Sequence, residues 1–256
     1  EYSITQTPLN EQDLKTMSEA VEVLRQFKGF SYFTEMSDII NRLEDHVASA
    51  RMKTTPVIDF EKNESLKGLD YLDTIYHAIV NEHPIQLKYR SFKARSANSF
   101  IFYPYLLKEY RNRWFVYGVR GNGRILQNLA LDRIQSLEVL PQEHYIKNTF
   151  FDPNTFFDDL VGVTKNTGSV AEKVGFKVAA AEAPYIITKP IHRSQQVMER
   201  LADGSVILEI EVVINHELER VFFGYAEGIQ VLYPKTLVEL MGRKLKKAAE
   251  QYTHSK

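Results

Sequence analysis

Residues 113–134 constrain the fold of this chain more than any other stretch. Arg113-Trp114-Phe115-Val116-Tyr117-Gly118-Val119-Arg120 is rich in β-branched and aromatic side chains, Gly121-Asn122-Gly123 interrupts it, and an apolar run resumes after Arg124. Such residues fit a pleated, half-buried surface, and the Gly-Asn-Gly break supplies the positive φ of a tight hairpin. Upstream, Ile85, Leu87 and Tyr89 alternate with Gln86, Lys88 and Arg90, the period of a strand with one buried face. The pattern predicts strands at 85–90, 99–108, 113–120, 124–130 and 133–140, joined by short polar turns. Five short strands at this spacing predict a small antiparallel barrel.

Helical periodicity precedes the strands. Leu14, Met17, Val21 and Leu24 mark a first helix between Asn10 and Gly29, and Met36, Ile39, Ile40, Leu43 and Val47 mark a second. Thr54-Thr55-Pro56 breaks the pattern and 57–60 reads as extended. A third helix is predicted over 70–81, ended by His83-Pro84. Beyond Pro141 a Phe- and Asp-rich connector (150–160) leads to a polar stretch, 164–169, read as the domain boundary. Then come a strand at 174–180, a short helix, and strands at 195–200 and 206–213 flanking Asp203-Gly204. Asn215 caps a helix reaching Tyr225, a strand follows at 229–233, and a last helix is read with Pro234 in its first position. This βαββαβ order predicts a ferredoxin-like unit. The expected organisation is an α+β chain: a helical segment (1–68), a barrel domain (69–163) and a C-terminal domain (170–256).

Composition narrows the setting. A chain of 256 residues, 44% apolar, has room for two cores. It has no cysteine, which removes disulfides and thiolate metal sites and fits a reducing, cytoplasmic setting. No apolar run approaches the roughly 18 residues of a membrane span, and the N-terminus lacks a signal pattern, so no membrane partner is expected. A start at Glu1 rather than methionine leads us to expect a piece of a longer protein. Net charge is −1, which argues against a stand-alone binder of duplex DNA. The charge is uneven, however: between Lys88 and Arg124, nine Lys or Arg stand against the single acid Glu109.

Trp114-Phe115-Val116, the preceding Tyr103-Pro104-Tyr105-Leu106-Leu107 and the following Leu131-Asp132-Arg133-Ile134 together resemble the core of a WYL domain. Leu232-Tyr233-Pro234-Lys235-Thr236-Leu237 is similar to the Leu-x-Pro-x-x-Leu pattern of the extension that often follows it, the WCX domain. The resemblance implies an SH3- or Sm-like barrel and the effector-sensing half of a bacterial transcriptional regulator. It implies a nucleotide or single-stranded nucleic acid as effector, and a homodimer assembled with help from the extension. Duplex DNA would be read only by a helix-turn-helix upstream of Glu1.

Tyr89, Lys108, Arg111, Arg113, Tyr117, Arg124 and Arg133 are the candidate ligand-binding residues. Arginine forks suit phosphate and aromatic faces stack bases. The competing reading makes these arginines solvated charges that guard strand edges. The resemblance favours a site, with Tyr89 at the family's strand-ending tyrosine and Arg133 at its Asp-Arg-Ile arginine. Gln127 departs from it: many members carry arginine there, so the charge would come from Arg124 or the ligand would differ. Trp114 is expected in the core, and Asp132 is expected to hold Arg133 in an ion pair.

Other chemistry finds little support in the sequence. Arg120-Gly121-Asn122-Gly123-Arg124 lacks the strand–loop–helix context of a phosphate loop. The histidines show no metal-ligand spacing, there is no nucleophile elbow, and Asp158-Asp159 has no evident acid–base partner. No catalytic residue, cofactor or metal is expected, and the chain is not expected to be an enzyme. Arg243, Lys244, Lys246 and Lys247 complement the dipole at a helix C-terminus. The alternative function is a WYL accessory module that binds nucleic acid and regulates a partner enzyme.

Overall fold

The computed structural model describes residues 67–121, 123 and 125–253. The two helices expected before residue 51, the extended 57–60 segment and Arg124 lie outside the described residues. The chain divides into two compact units, the first ending at Lys147 and the second starting at Asn148.

In the first unit a single-turn 3-10 helix, Leu69–Tyr71, runs into helix α1, Leu72–Val80, whose Leu72, Ile75 and Ala78 are buried. Five strands follow: β1 (Ile85–Tyr89), β2 (Asn98–Tyr110), β3 (Arg113–Arg120), β4 (Leu126–Ala130) and β5 (Ile134–Val139). They pair antiparallel in the order β4-β3-β2-β1-β5. Ile75, Ile85, Leu87, Phe102, Val116 and Leu131 make the core, with Trp114 packed partly buried against it.

The closed barrel expected from the strand spacing is not what forms. Among the described residues β4 and β5 are not paired, so the sheet stays open between them. They lie at opposite edges, yet only the 3-10 turn Leu131–Arg133 separates them along the chain. Three residues span about 10 Å, so the sheet must curl until its edges approach at that turn.

Two local devices set the register of the long hairpin. The turn between β2 and β3 places Arg111 and Asn112 at φ 49° and 58°, the two-positive-φ geometry that matches strand twist. Farther along, Pro104 faces Gly118 while Leu106 faces Tyr117, so Tyr105 is the extra residue of a bulge. A proline is tolerated inside this central strand because the bulge breaks the ladder there. Gly118 is required opposite it: a Cβ would fall 2.1 Å from the Tyr103 carbonyl oxygen.

The second unit runs β6 (Glu172–Val178), α2 (Ala183–Thr188), β7 (Gln196–Arg200), β8 (Val206–Val212), α3 (His216–Gly224), β9 (Ile229–Tyr233) and α4 (Lys235–Thr253). Its sheet is antiparallel throughout, ordered β7-β8-β6-β9. Val174, Phe176, Leu208, Ile210, Leu218, Phe222 and Leu237 fill the core, and the Phe176 and Phe222 rings meet at 5.1 Å. Pro234 stands just before α4 rather than in its first turn, since its carbonyl accepts from Leu237 N at 3.0 Å and so opens the helix.

The compact units divide earlier than the polar 164–169 stretch, for a reason visible in hydrogen bonds. Val213 N donates to the Asp159 carbonyl (2.8 Å), and Asn215 Nδ2 donates to the carbonyls of Val161 (3.0 Å) and Thr164 (2.9 Å). Leu160, Val161 and Val163 are buried. Asn215 also caps α3 as expected, its Oδ1 accepting from Leu218 N at 2.9 Å.

Candidate functional site

Ala130 on β4 faces Phe115 on β3, so two residues farther along each way Asp132 arrives beside Arg113. There the Asp132 carboxylate lies 3.2 Å from Arg113 Nε and 3.8 Å from Arg133 Nε. The expected pair with Arg133 is present, but Arg113 is the nearer partner. Both arginines are partly open to solvent, so these ion pairs contribute at most about 1 kcal/mol each; their effect is to gather two guanidinium groups at one point.

The turn that carries Asp132 is held from two sides. Arg90 N donates to the Arg133 carbonyl at 3.1 Å, which ties the end of β1 to it. Gly68, at φ 84°, crosses directly over Leu131 and Asp132, and a Cβ there would lie 2.4 Å from the Leu131 carbonyl carbon. Tyr89, at the end of β1, is hydrogen-bonded to Arg133; burial pushes its phenol up and the Arg133 charge opposes that. Asp132 Oδ1 and Arg133 Nε are shut off from solvent; they face each other across the 3.8 Å ion pair, and among the described residues neither makes a hydrogen bond.

A cleft of about 280 Å³ opens beside them, lined by Arg90, Ser91, Phe92, Asp132, Arg133, Ile134 and Gln135. The Arg133 guanidinium lies over the Phe92 ring, 4.5 Å from its centre.

The predicted site residues divide into groups. Tyr89, Arg113 and Arg133 converge on Asp132. Lys108 faces Phe115 and so shares the Arg113 face of the sheet by register. Arg111 sits in the hairpin turn with its guanidinium 5.5 Å from the Tyr110 ring centre. Tyr117 is only 2% exposed, enclosed within the sheet. Arg124 lies outside the described residues. Gln127 faces Gly118 on β3. Sequence reasoning missed Phe92, although a lone phenylalanine among Arg90, Lys93 and Arg95, with no strand alternation around it, marked the place.

Polar groups elsewhere are engaged in holding structure. Asp158 pairs with Arg193 at 2.6 Å and Asp159 with Lys165 at 2.8 Å, which gives the acidic pair of the connector cationic partners. Glu219, mostly buried on α3, pairs with Lys244 of α4. Among the described residues no helix is long and apolar enough to cross a membrane.

The open five-stranded sheet with its arginine-lined turn, followed by a separate βαββαβ unit, matches two families in chain order. Residues 70–139 match the WYL domain and residues 171–249 match the WCX domain. The chain carries a WYL domain followed by a WCX domain. Among solved structures, proteasome accessory factor B/C (PafBC) of Arthrobacter aurescens is similar at 16% identity, with a TM-score of 0.30, over 75% of this chain and 28% of that one. A second similar structure, titled as a CRISPR Cas-related protein, shows 12% identity and a TM-score of 0.44, over 73% of this chain and 52% of that one. The chain therefore spans about half or less of the structures it resembles. No curated protein matches it.

Proposed function

We propose that this chain is the effector-sensing and dimerising region of a WYL-type transcriptional regulator, and that its WYL domain binds a nucleotide or single-stranded nucleic acid. The observation that carries the reading is the convergence of Arg113 and Arg133 on Asp132, with Asp132 and Arg133 lining an open cleft. Paired guanidinium groups recognise phosphate through charge-assisted hydrogen bonds. In this reading the chain acts in the bacterial cytoplasm, without a cofactor or catalytic role, and duplex DNA is read by a helix-turn-helix module beyond this sequence. Two curled ends meeting at Leu131–Arg133 support an SH3-like sheet left open between β4 and β5. The order β7-β8-β6-β9 with two helical crossovers supports a ferredoxin-like WCX domain. Dimerisation is assigned to that domain.

The test is a binding titration with a fluorescent single-stranded oligonucleotide. Arg113→Ala and Arg133→Ala are each expected to weaken binding by roughly tenfold or more, with the melting temperature nearly unchanged. Loss of the fold in either variant would assign the arginines to structure instead, and unchanged affinity in both would remove the cleft as the site.

A further inference from the structure

The sequence offers Tyr89 and Tyr117 as stacking surfaces beside the arginines, but neither presents a face. Tyr117 is 2% exposed, and Tyr89 is packed against the core and bonded to Arg133. Phe92 is different. It is 73% exposed, lines the cleft, and has one ring face against the Arg133 guanidinium. Since Arg133 covers one side, the exposed area belongs to the other face and the edge. The loop that carries it reads Arg90-Ser91-Phe92-Lys93-Ala94-Arg95, and Arg90, Lys93 and Arg95 are all exposed. Ala94 N donates to the Ser91 carbonyl at 3.0 Å, a turn that places Phe92 at the bend.

A ring this exposed loses apolar burial, and it sits in a loop among cations. Aromatic faces interleaved with Arg and Lys are the arrangement that binds single strands, the ring taking a base and the cations its phosphates. A guanidinium already stacked on the far face fixes the ring orientation and adds a cation–π contact through it. The cleft volume of about 280 Å³ suits a single nucleotide unit.

The geometry points to Phe92 as the base-stacking residue of the cleft, taking one nucleobase on its open face while Arg133 and Arg90 engage the attached phosphate. This rests on the nucleic-acid reading of the cleft and adds a contact to the base, which that reading does not require.

The experiment compares two probes with the whole 256-residue chain: an oligothymidylate strand, and a strand of equal length with abasic deoxyribose phosphates. Phe92→Ala is expected to weaken oligothymidylate binding roughly tenfold and to leave the abasic strand nearly unaffected, while Phe92→Trp restores oligothymidylate binding. Arg133→Ala is expected to weaken both. Equal effects of Phe92→Ala on the two probes, or none on either, would overturn the stacking role while Arg133→Ala still reports on the phosphate site. If the unaltered chain binds neither strand, both readings fall; if it binds both strands alike, stacking alone falls.

Discussion

Single residues divide into those that gather charge and those that lock loops. Asp132 belongs to the first kind, and the sequence announced it through its place next to Arg133. Its closer partnership with Arg113 was not legible, because that contact depends on the β3–β4 register bringing distant residues together. His192 belongs to the second kind. It is 9% exposed, its Nδ1 accepts from Ser194 N at 3.2 Å, and it is also held by a backbone hydrogen bond at Asp158, so it joins the connector to the loop before β7. Burial, and then the Arg193 charge, lower its pKa, with the Asp158 backbone bond and the Asp159 and Asp158 charges opposing. A base whose folded pKa is depressed favours the folded state above its unfolded value near 6.5, and that contribution fades as pH falls through the folded value. The WCX unit is therefore expected to melt at progressively lower temperature below about pH 6.5, and His192→Asn is expected to flatten that dependence. A melting temperature independent of pH between neutral and mildly acid conditions would count against the neutral, buried histidine.

At the scale of elements, the strands of both units and the helices from α1 onward were legible, because each is two-period or 3.6-period in apolar residues and ends on a clear turn or cap. Barrel closure was not. Strand count and spacing carry no record of whether the last two edges bond, and here a three-residue turn brings β4 and β5 together without a ladder. Phe92 escaped for a related reason, since a loop has no period to flag a residue out of place. The bulge at Tyr105 and the cap at Asn215 offer the sharpest tests of the elements. Gly118→Ala would drive a methyl group into the Tyr103 carbonyl and is expected to destabilise the WYL unit by about 3 kcal/mol. Asn215→Ala removes the α3 cap and leaves two carbonyls of the connector without their donor, expected to cost the WCX unit about 2–4 kcal/mol. Denaturant melts read by near-ultraviolet circular dichroism would check both, and a change below about 0.5 kcal/mol in either variant would show that the local reading is wrong.

For the whole molecule, the proposed function requires the WYL unit to bind a ligand and the WCX unit to assemble two copies. The proposed dimer would draw on α4. From Gly242 to Thr253 it is exposed along about 18 Å, and Leu245 (42% exposed) and Tyr252 (85%) extend the buried line of Leu237 and Met241. Light scattering is expected to give a dimer for the full chain, and Leu245→Glu combined with Tyr252→Glu is expected to shift it toward monomer while leaving the circular dichroism spectrum intact. A monomer at tens of micromolar (~10⁻⁵ M, ample for a specific interface) before any substitution would remove the dimer from the account. The central claim is that the arginines gathered on Asp132 at the cleft recognise phosphate, and its most direct measurement is the affinity for a single-stranded oligonucleotide across a salt series. Two or three phosphate contacts predict that log K falls against log salt with a slope between about −1.4 and −2.1, and that Arg133→Ala makes the slope shallower by about 0.7. An affinity that does not change with salt, or a slope that Arg133→Ala leaves untouched, would contradict it.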